Sequence, residues 1–284
     1  MIKFVKYIEF GECCHVNFVL KRGIPLYNGD ILLLGNCMKK FCLYGILIGT
    51  LLFVMGCSSE NEIPYDVGDI LLSDNSIVSV NNFYSVRDEK IKPVGIIVGF
   101  SEDGDKATIM GIKRSDTSLR WAPSDTTGYN TKFKDIEVAR YGSVEAGYSF
   151  SGDYKGIDNW FCVCKVDSDG VLNSEKKYPA FNYANNYGSN ANLEESRFEH
   201  GWYLPSILEL YDVYKNKDVI KNSLDLVGGF DLDSNWYWSS SQAYSKNEGA
   251  YGILFPTGEV TNVYKYCPSG YVIAFCEIII NEYL

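Results

Sequence analysis

A strand-to-helix corner between residues 201 and 210 constrains the fold more than any other segment of the chain. It reads Gly-Trp-Tyr-Leu-Pro-Ser-Ile-Leu-Glu-Leu. Pro205 disfavours helical backbone at Leu204, so an apolar extended segment ends there. Ser206 can accept a hydrogen bond from the backbone N–H of Glu209, and Glu209 can return one to Ser206, which is a capping box. The sequence therefore predicts a helix from Ser206 to about residue 216, directly after a strand.

Strand patterns flank this helical middle on both sides. Apolar runs separated by polar turns predict strands at 67–72, 77–80, 93–100, 107–112, 236–240, 250–255, 259–264 and 271–280. The last run is long and strongly apolar, so we expect it to be central in its sheet. Helical spacing predicts further helices at 178–187 and 218–227, the second ended by Gly228. Residues 114–158 are polar and Gly-rich, which is typical of loops with short strands. This order predicts an α+β fold with antiparallel sheets, two to three short helices and long loops.

Residues 38–56 have the character of an export signal. Lys39 and Lys40 precede an apolar run of about a dozen residues, too short to span a bilayer stably. The ending Val54-Met55-Gly56-Cys57 resembles the bacterial lipobox, in which the cysteine is lipidated. We expect Cys57 to anchor the protein in the outer membrane, facing outward, with 57–66 as a tether; the alternative is an ordinary buried apolar segment. Because a signal begins a protein, we expect residues 1–37 to be an upstream extension that is not translated.

Composition excludes several classes of function. The formal net charge is −10, which argues against a nucleic-acid partner. Four cysteines follow Cys57, and we expect buried free thiols, with a disulfide as the alternative. If residues 162–164 form a strand, Cys162 and Cys164 share one face. The single histidine after Cys57, His200, has no nucleophile or carboxylate beside it in any motif. We therefore predict no catalytic residues, no metal site and no cofactor.

Several motifs together resemble one bacterial family. The chain is similar to the Lcl C-terminal-domain family of surface proteins and to the related Fibrobacter major paralogous domain, as found in Bacteroides lipoproteins. The matching residues are Trp202, Leu204, Pro205, Ser206, Glu209, Leu210, Tyr237, Trp238, Ser239, Ser240, Phe255, Gly258, Tyr271 and Val272. The chain departs from the family pattern at Ile273, where arginine is usual, and at Tyr251, where tryptophan is common.

The resemblance implies a C-type-lectin-like fold. We expect a β-rich part at 67–145 and a lectin-like domain at 146–284, or a single unit over 67–284. The motifs with which animal C-type lectins hold calcium are missing, so the fold does not imply calcium-dependent sugar binding. Within the corner and the following strand, the residues expected to be architectural are Trp202, Leu204, Pro205, Ser206, Glu209 and Trp238.

The expected function is binding without catalysis. Tyr and Asn side chains offer large contact areas and adaptable hydrogen bonds, as in binding paratopes. Our candidate ligand-binding residues are Tyr244, Asn247, Tyr251, Asn262, Tyr264 and Tyr266, in a region that also contains Gln242 and Lys265. We expect a lipid-anchored surface protein that binds a glycan or protein ligand. The alternative is a structural or accessory component of an envelope assembly, such as a fimbria-like or polysaccharide-uptake complex.

Overall fold

A five-stranded antiparallel sheet is the largest element of the computed structural model, which describes residues 64–85, 88, 90–137, 139–144, 147–194 and 196–282. Residues 64–282 belong to one compact unit. The expectations for residues 1–37, for the signal at 38–56 and for Cys57 lie outside the described residues. Among those described, no helix is both long and apolar enough to cross a membrane.

The strands follow one another in three groups along the chain. In chain order they are β1 (Ile70–Leu72), β2 (Ile77–Val78), β3 (Pro93–Phe100), β4 (Lys106–Arg114), β5 (Arg140–Val144), β6 (Gly147–Ser151), β7 (Trp236–Gln242), β8 (Gly249–Leu254), β9 (Glu259–Tyr264) and β10 (Ile273–Ile279). The large sheet has the order β10-β4-β3-β1-β2, β7-β8-β9 form a second antiparallel sheet, and β5-β6 form a hairpin.

Short helices fill the middle of the chain. They are α1 (Thr127–Asn130), α2 (Asn159–Val166), α3 (Ser168–Leu172), α4 (Ser174–Lys177), α5 (Pro179–Asn185), α6 (Tyr187–Asn190), α7 (Ile207–Lys215) and α8 (Lys217–Val227). Single 3₁₀ turns occur at Val80–Ser85, Leu232–Ser234 and Ile280–Glu282.

The last strand lies at an edge of the large sheet, so the expectation that it is central was wrong. β10 pairs with β4 on one side. On its other side, the only backbone pairing within the described ranges is an isolated bridge at Tyr203, with hydrogen bonds of 2.8 and 3.0 Å to Phe275. The strand is nevertheless strongly apolar because both faces of the sheet are covered. Because β10 pairs with β4, which in turn pairs with β3, strands from 67–145 and from the C-terminal part share one sheet.

Each face of the large sheet supports its own core. On one face Ile96, Met110 and Phe275 pack with α7, α8 and the sheet β7-β8-β9. On the other face Ile97 and Ile109 join a core that includes α5 and several buried aromatic side chains. Alternate residues of each strand therefore enter different cores, which explains the continuous apolar runs in the sequence.

Local signals in the sequence place α7 and α8 correctly. Ser206 is the N-cap of α7 and forms the full capping box with Glu209, so that prediction is confirmed. Gly228 ends α8 in the left-handed conformation, with φ of 69°. The predicted strands at 67–72 and 250–255 are present as β1 and β8, which pair antiparallel with β2 and β9.

The α+β class with antiparallel sheets is confirmed, and the helices are more numerous than expected. The described residues contain eight short α-helical segments. Residues 114–158 include α1 and the β5-β6 hairpin, and Cys162 and Cys164 lie on helix α2, not on a strand.

Candidate functional site

The strand-to-helix corner is held by the carboxylate of one half-buried residue, Glu209. One oxygen of Glu209 accepts hydrogen bonds from the backbone N–H of Ser206 at 2.7 Å and of Gly156 at 2.8 Å. The other oxygen accepts from the hydroxyl of Tyr203 at 2.8 Å. A Cβ at position 156 would lie 2.3 Å from the Leu204 carbonyl oxygen, so glycine permits this close approach. Glu209 thus ties the loop before α2 to the start of α7.

Two carboxyl groups near the corner have raised pKa values. Burial raises the pKa of Glu209 to about 7, against the hydrogen bonds that favour its charged form. Burial also raises the pKa of Asp153 to about 6, and the Asn159 amide donates to this carboxylate at 2.9 Å. Such shifts are common at active sites. Here every donor comes from the chain itself, and the adjoining cleft of about 150 Å³ is smaller than ordinary ligand pockets. The arrangement is that of a structural anchor.

The Trp-Ser-Ser-Ser motif of β7 supplies further internal bonds. The hydroxyl of Ser239 donates to the carbonyl of Tyr251 at 2.8 Å, and that of Ser241 accepts from the N–H of Ile207 at 2.9 Å. The indole of Trp238 donates to the carbonyl of Leu119 at 2.8 Å. All these motif side chains are buried.

The remaining architectural candidates are also in the interior. Leu204, Pro205 and Ser206 are buried, and the indole of Trp202 donates to the carbonyl of Phe198 at 2.7 Å. His200, in contrast, is exposed, and its ring lies 3.7 Å from the carboxylate of Glu199. Within the described ranges, no group of three or more His, Cys, Asp or Glu side chains is arranged to hold a metal ion.

A group of four tyrosines, three exposed and one half-buried, lies near the end of β9. We call Tyr129, Tyr244, Tyr264 and Tyr266 the tyrosine surface. The ring of Tyr266 lies 5.8 Å from that of Tyr264 and 5.6 Å from that of Tyr129, measured between centroids. Tyr244, Tyr264 and Tyr266 are 54%, 44% and 42% exposed, which is unusual for side chains of this size.

Two lysines lie against these rings. The Lys246 amino group is 4.0 Å from the centroid of Tyr264, which is cation–π distance. The Lys132 amino group is 5.5 Å from the ring centroid of Tyr244 and donates to the carbonyl of that residue at 3.1 Å. The surface therefore combines flat apolar faces, phenolic hydroxyls and positive charge.

The six candidate ligand-binding residues differ in their exposure to solvent. Tyr244, Asn247, Tyr264 and Tyr266 are exposed, and Asn262 is half-buried on β9. Tyr251 is only 4% exposed, and its hydroxyl accepts from the N–H of Tyr244 at 3.2 Å. The side chain of Tyr251 therefore lies under the 243–248 turn, which it supports, and offers a ligand almost no surface.

Two neighbouring residues of the same region are buried as well. Gln242 forms a pair of hydrogen bonds, each 2.9 Å, with the backbone N–H and carbonyl of Phe133. Lys265 has no exposed surface. Both side chains point into the protein because the segment 127–133 lies over them.

We call the segment 127–133 the strap. The sequence did not indicate that it belongs to the site. It contributes Tyr129 and Lys132 to the tyrosine surface, yet its sequence has the polar, turn-like character of a loop. Only its long-range contacts with residues 242–266 reveal the role, and those contacts leave no local pattern in the sequence.

The chain is similar in fold to a protein of known structure. A crystal structure of a fimbrial protein from Bacteroides ovatus matches it with a TM-score of 0.51 at 17% sequence identity. The match covers 75% of this chain and 48% of that protein, so the chain spans about half the length of this neighbour. No protein-family model matches the chain, and no curated protein matches it. At this identity the likeness concerns the fold alone.

Proposed function

We propose that this protein is a non-enzymatic binding protein of the bacterial cell surface. It binds a glycan or protein ligand through the tyrosine surface and is held at the outer membrane by a lipid on Cys57. The observation that carries the proposal is the tyrosine surface, in which the ring of Tyr266 lies 5.6–5.8 Å from those of Tyr129 and Tyr264, with Lys132 and Lys246 beside it. Aromatic faces of this kind stack on sugar rings and also anchor protein interfaces.

Absence of catalysis is part of this proposal. Glu209 and Asp153 are the described acids with markedly raised pKa values, and both are engaged by donors of their own chain. His200 is exposed beside Glu199. The serine hydroxyls beside these two acids, Ser241 and Ser206, accept hydrogen bonds from the backbone N–H groups of Ile207 and Glu209, which supports a structural use.

A binding screen with matched variants tests the proposal. The protein from Cys57 onward, with a soluble tag in place of the lipid, is applied to a glycan array and to immobilised envelope proteins. We expect the double variant Tyr264→Ala/Tyr266→Ala to lose at least about tenfold in affinity, because central aromatics dominate such interfaces. Tyr84→Ala is the control, since Tyr84 is 67% exposed outside the tyrosine surface. Equal losses in both variants, or no binding to any ligand class, would contradict the proposal.

A second candidate is a structural or accessory component of an envelope assembly. The shared fold with a fimbrial protein favours it. Affinity purification from cell envelopes would then yield a partner in fixed stoichiometry, and the Tyr264→Ala/Tyr266→Ala variant would leave that partner bound. Loss of the partner in this variant would instead assign the contact to the tyrosine surface.

A further inference from the structure

Lys265 lies directly between two residues of the tyrosine surface, yet its side chain is fully buried. Its amino group donates to the carbonyls of Gly128 at 3.0 Å and Thr131 at 2.9 Å. It also lies 4.4 Å from the ring centroid of Trp121 and 5.4 Å from that of Phe133. A lysine without exposed surface is rare, because an ammonium group loses its hydration there.

No carboxylate forms a salt bridge with this amino group among the described residues. Glu248, whose carbonyl accepts from the N–H of Lys265 at 2.8 Å, is the nearby acid that favours the charged form. The positive charge of Lys132 on the strap disfavours the charged form of Lys265. Burial is the larger effect and lowers the pKa of Lys265 to about 7. Other charged or titratable groups on the packed elements are Arg120, Tyr129, Tyr178, Tyr244, Lys246, Tyr264, Tyr266 and Cys267.

The strap and the segment that leads into it are fastened at three places, and Lys265 contributes to two of them. At one end, the N–H groups of Trp121 and Ala122 donate to the Lys265 carbonyl at 3.0 Å. At the other end, Phe133 pairs with the amide of Gln242. Between these ends, the Lys265 amino group binds the two carbonyls of residues 128 and 131, on either side of Tyr129.

We propose that Lys265 is a positioning residue of the tyrosine surface, and that protonation of its buried amino group favours release of the middle of the strap. The strap carries Tyr129 and Lys132, so its release removes them from beside Tyr266 and Tyr244. The consequence for a ligand rests on the proposed function; the movement of the strap does not.

The direction in which pH changes the release of the strap follows from proton linkage. A released strap returns the Lys265 amino group to water, where the ordinary pKa is 10.5, whereas the docked strap holds the pKa near 7. Between these values the released form binds more protons than the docked form. Each unit of falling pH in this window therefore favours release by up to roughly tenfold, and the effect levels off below about pH 7.

Hydrogen exchange of the backbone amides of 127–133 tests this without any ligand. Rates are measured from pH 7 to 9.5 for the wild type and for Lys265→Met, and are corrected for intrinsic exchange. We expect protection in the wild type to fall as pH falls, by up to roughly tenfold per unit, and protection in Lys265→Met to be independent of pH. The same pH dependence in both proteins would overturn the proposal.

A measurement on the unaltered protein covers the case in which Lys265→Met does not fold. Lysine labelled with ¹³C at Cε is titrated by NMR, with Lys265→Arg used only to assign the signal. A midpoint close to 7 supports the proposal, and a midpoint above 9 overturns it. Because neither readout uses a ligand, failure of the binding screen and failure of this inference are separate outcomes.

Discussion

Ser206 and Glu209 hydrogen-bond each other in both directions. The hydroxyl of Ser206 accepts from the N–H of Glu209 at 3.2 Å, and the carboxylate of Glu209 accepts from the N–H of Ser206 at 2.7 Å. The two partners are not equivalent, because the Glu209 carboxylate also accepts hydrogen bonds from the N–H of Gly156 and the hydroxyl of Tyr203. Removal of the serine hydroxyl costs the helix a cap, whereas removal of the carboxylate leaves three donors without their acceptor.

We therefore predict unequal losses of stability. Ser206→Ala should lower the free energy of unfolding by about 1 kcal/mol, the usual value of an N-cap. Glu209→Ala should lower it by about 3 kcal/mol, because buried donors lose their acceptor. Urea unfolding measures both, with Asp218→Ala as control, since Asp218 is exposed in the first turn of α8 and should cost less than about 0.5 kcal/mol. A larger effect of Ser206→Ala than of Glu209→Ala would contradict the assigned anchor.

The raised pKa of Glu209 predicts a specific pH dependence. The folded value of about 7 exceeds the ordinary value of 4.5, so the folded protein holds this proton more tightly than the unfolded chain. The stabilisation that results from this raised pKa is fully present below about pH 4.5 and is lost as pH rises through about 7. The wild type should thus lose stability relative to Glu209→Gln by up to about 1.4 kcal/mol per pH unit in this window. Asp153 is present in both proteins, so its contribution cancels, and parallel pH profiles would rule out the raised pKa.

Two glycines of the same strand give opposite predictions. A Cβ at Gly95 would lie 2.3 Å from Cγ2 of Ile109 and 2.7 Å from the carbonyl oxygen of Met110, which belongs to the backbone of β4. A Cβ at Gly99 would meet no heavy atom within 4 Å in the described part of the chain. Gly95→Ala should therefore lower stability by about 1–3 kcal/mol, and Gly99→Ala should change it by less than about 0.5 kcal/mol. Thermal unfolding of the two variants under identical conditions is the test.

The four described cysteines are free and differ in accessibility. Cys162 and Cys276 are buried, whereas Cys164 and Cys267 are half-buried. Burial raises the pKa of the Cys276 thiol, so it has neither access to solvent nor a reactive thiolate. Iodoacetamide at pH 8 should modify Cys267 at least about tenfold faster than Cys276, as measured by peptide mass spectrometry. Equal rates, or a disulfide-linked peptide from the native protein, would contradict this assignment.

Elements with local causes could be predicted from the sequence. Ser206, Glu209 and Gly228 act within one turn of their own helices, so both helix boundaries could be recognised. The segment 159–166 had no such signal. Its apolar residues could suit a strand, and it became helix α2 because Cys162 and Val163 pack into the core beneath it.

The site depended on contacts between distant segments. Tyr264 and Tyr266 could be identified as exposed candidates because they alternate with other polar residues near a turn. The burial of Tyr251 and Lys265 is set by the 243–248 turn and by the strap, respectively. Exposure is a property of what covers a residue, so it could not be inferred from the residue's own neighbourhood in the sequence.

The pairing of β10 with β4 has a consequence for the order of events during synthesis. Phe275 pairs with Met110, so the large sheet lacks one of its strands until β10, which lies far downstream of β4, has been made. Until then, the edge of β4 has no neighbour on that side, and closing so long a loop is slow. A product truncated before Ile273 would present an apolar sheet edge open to association with other chains.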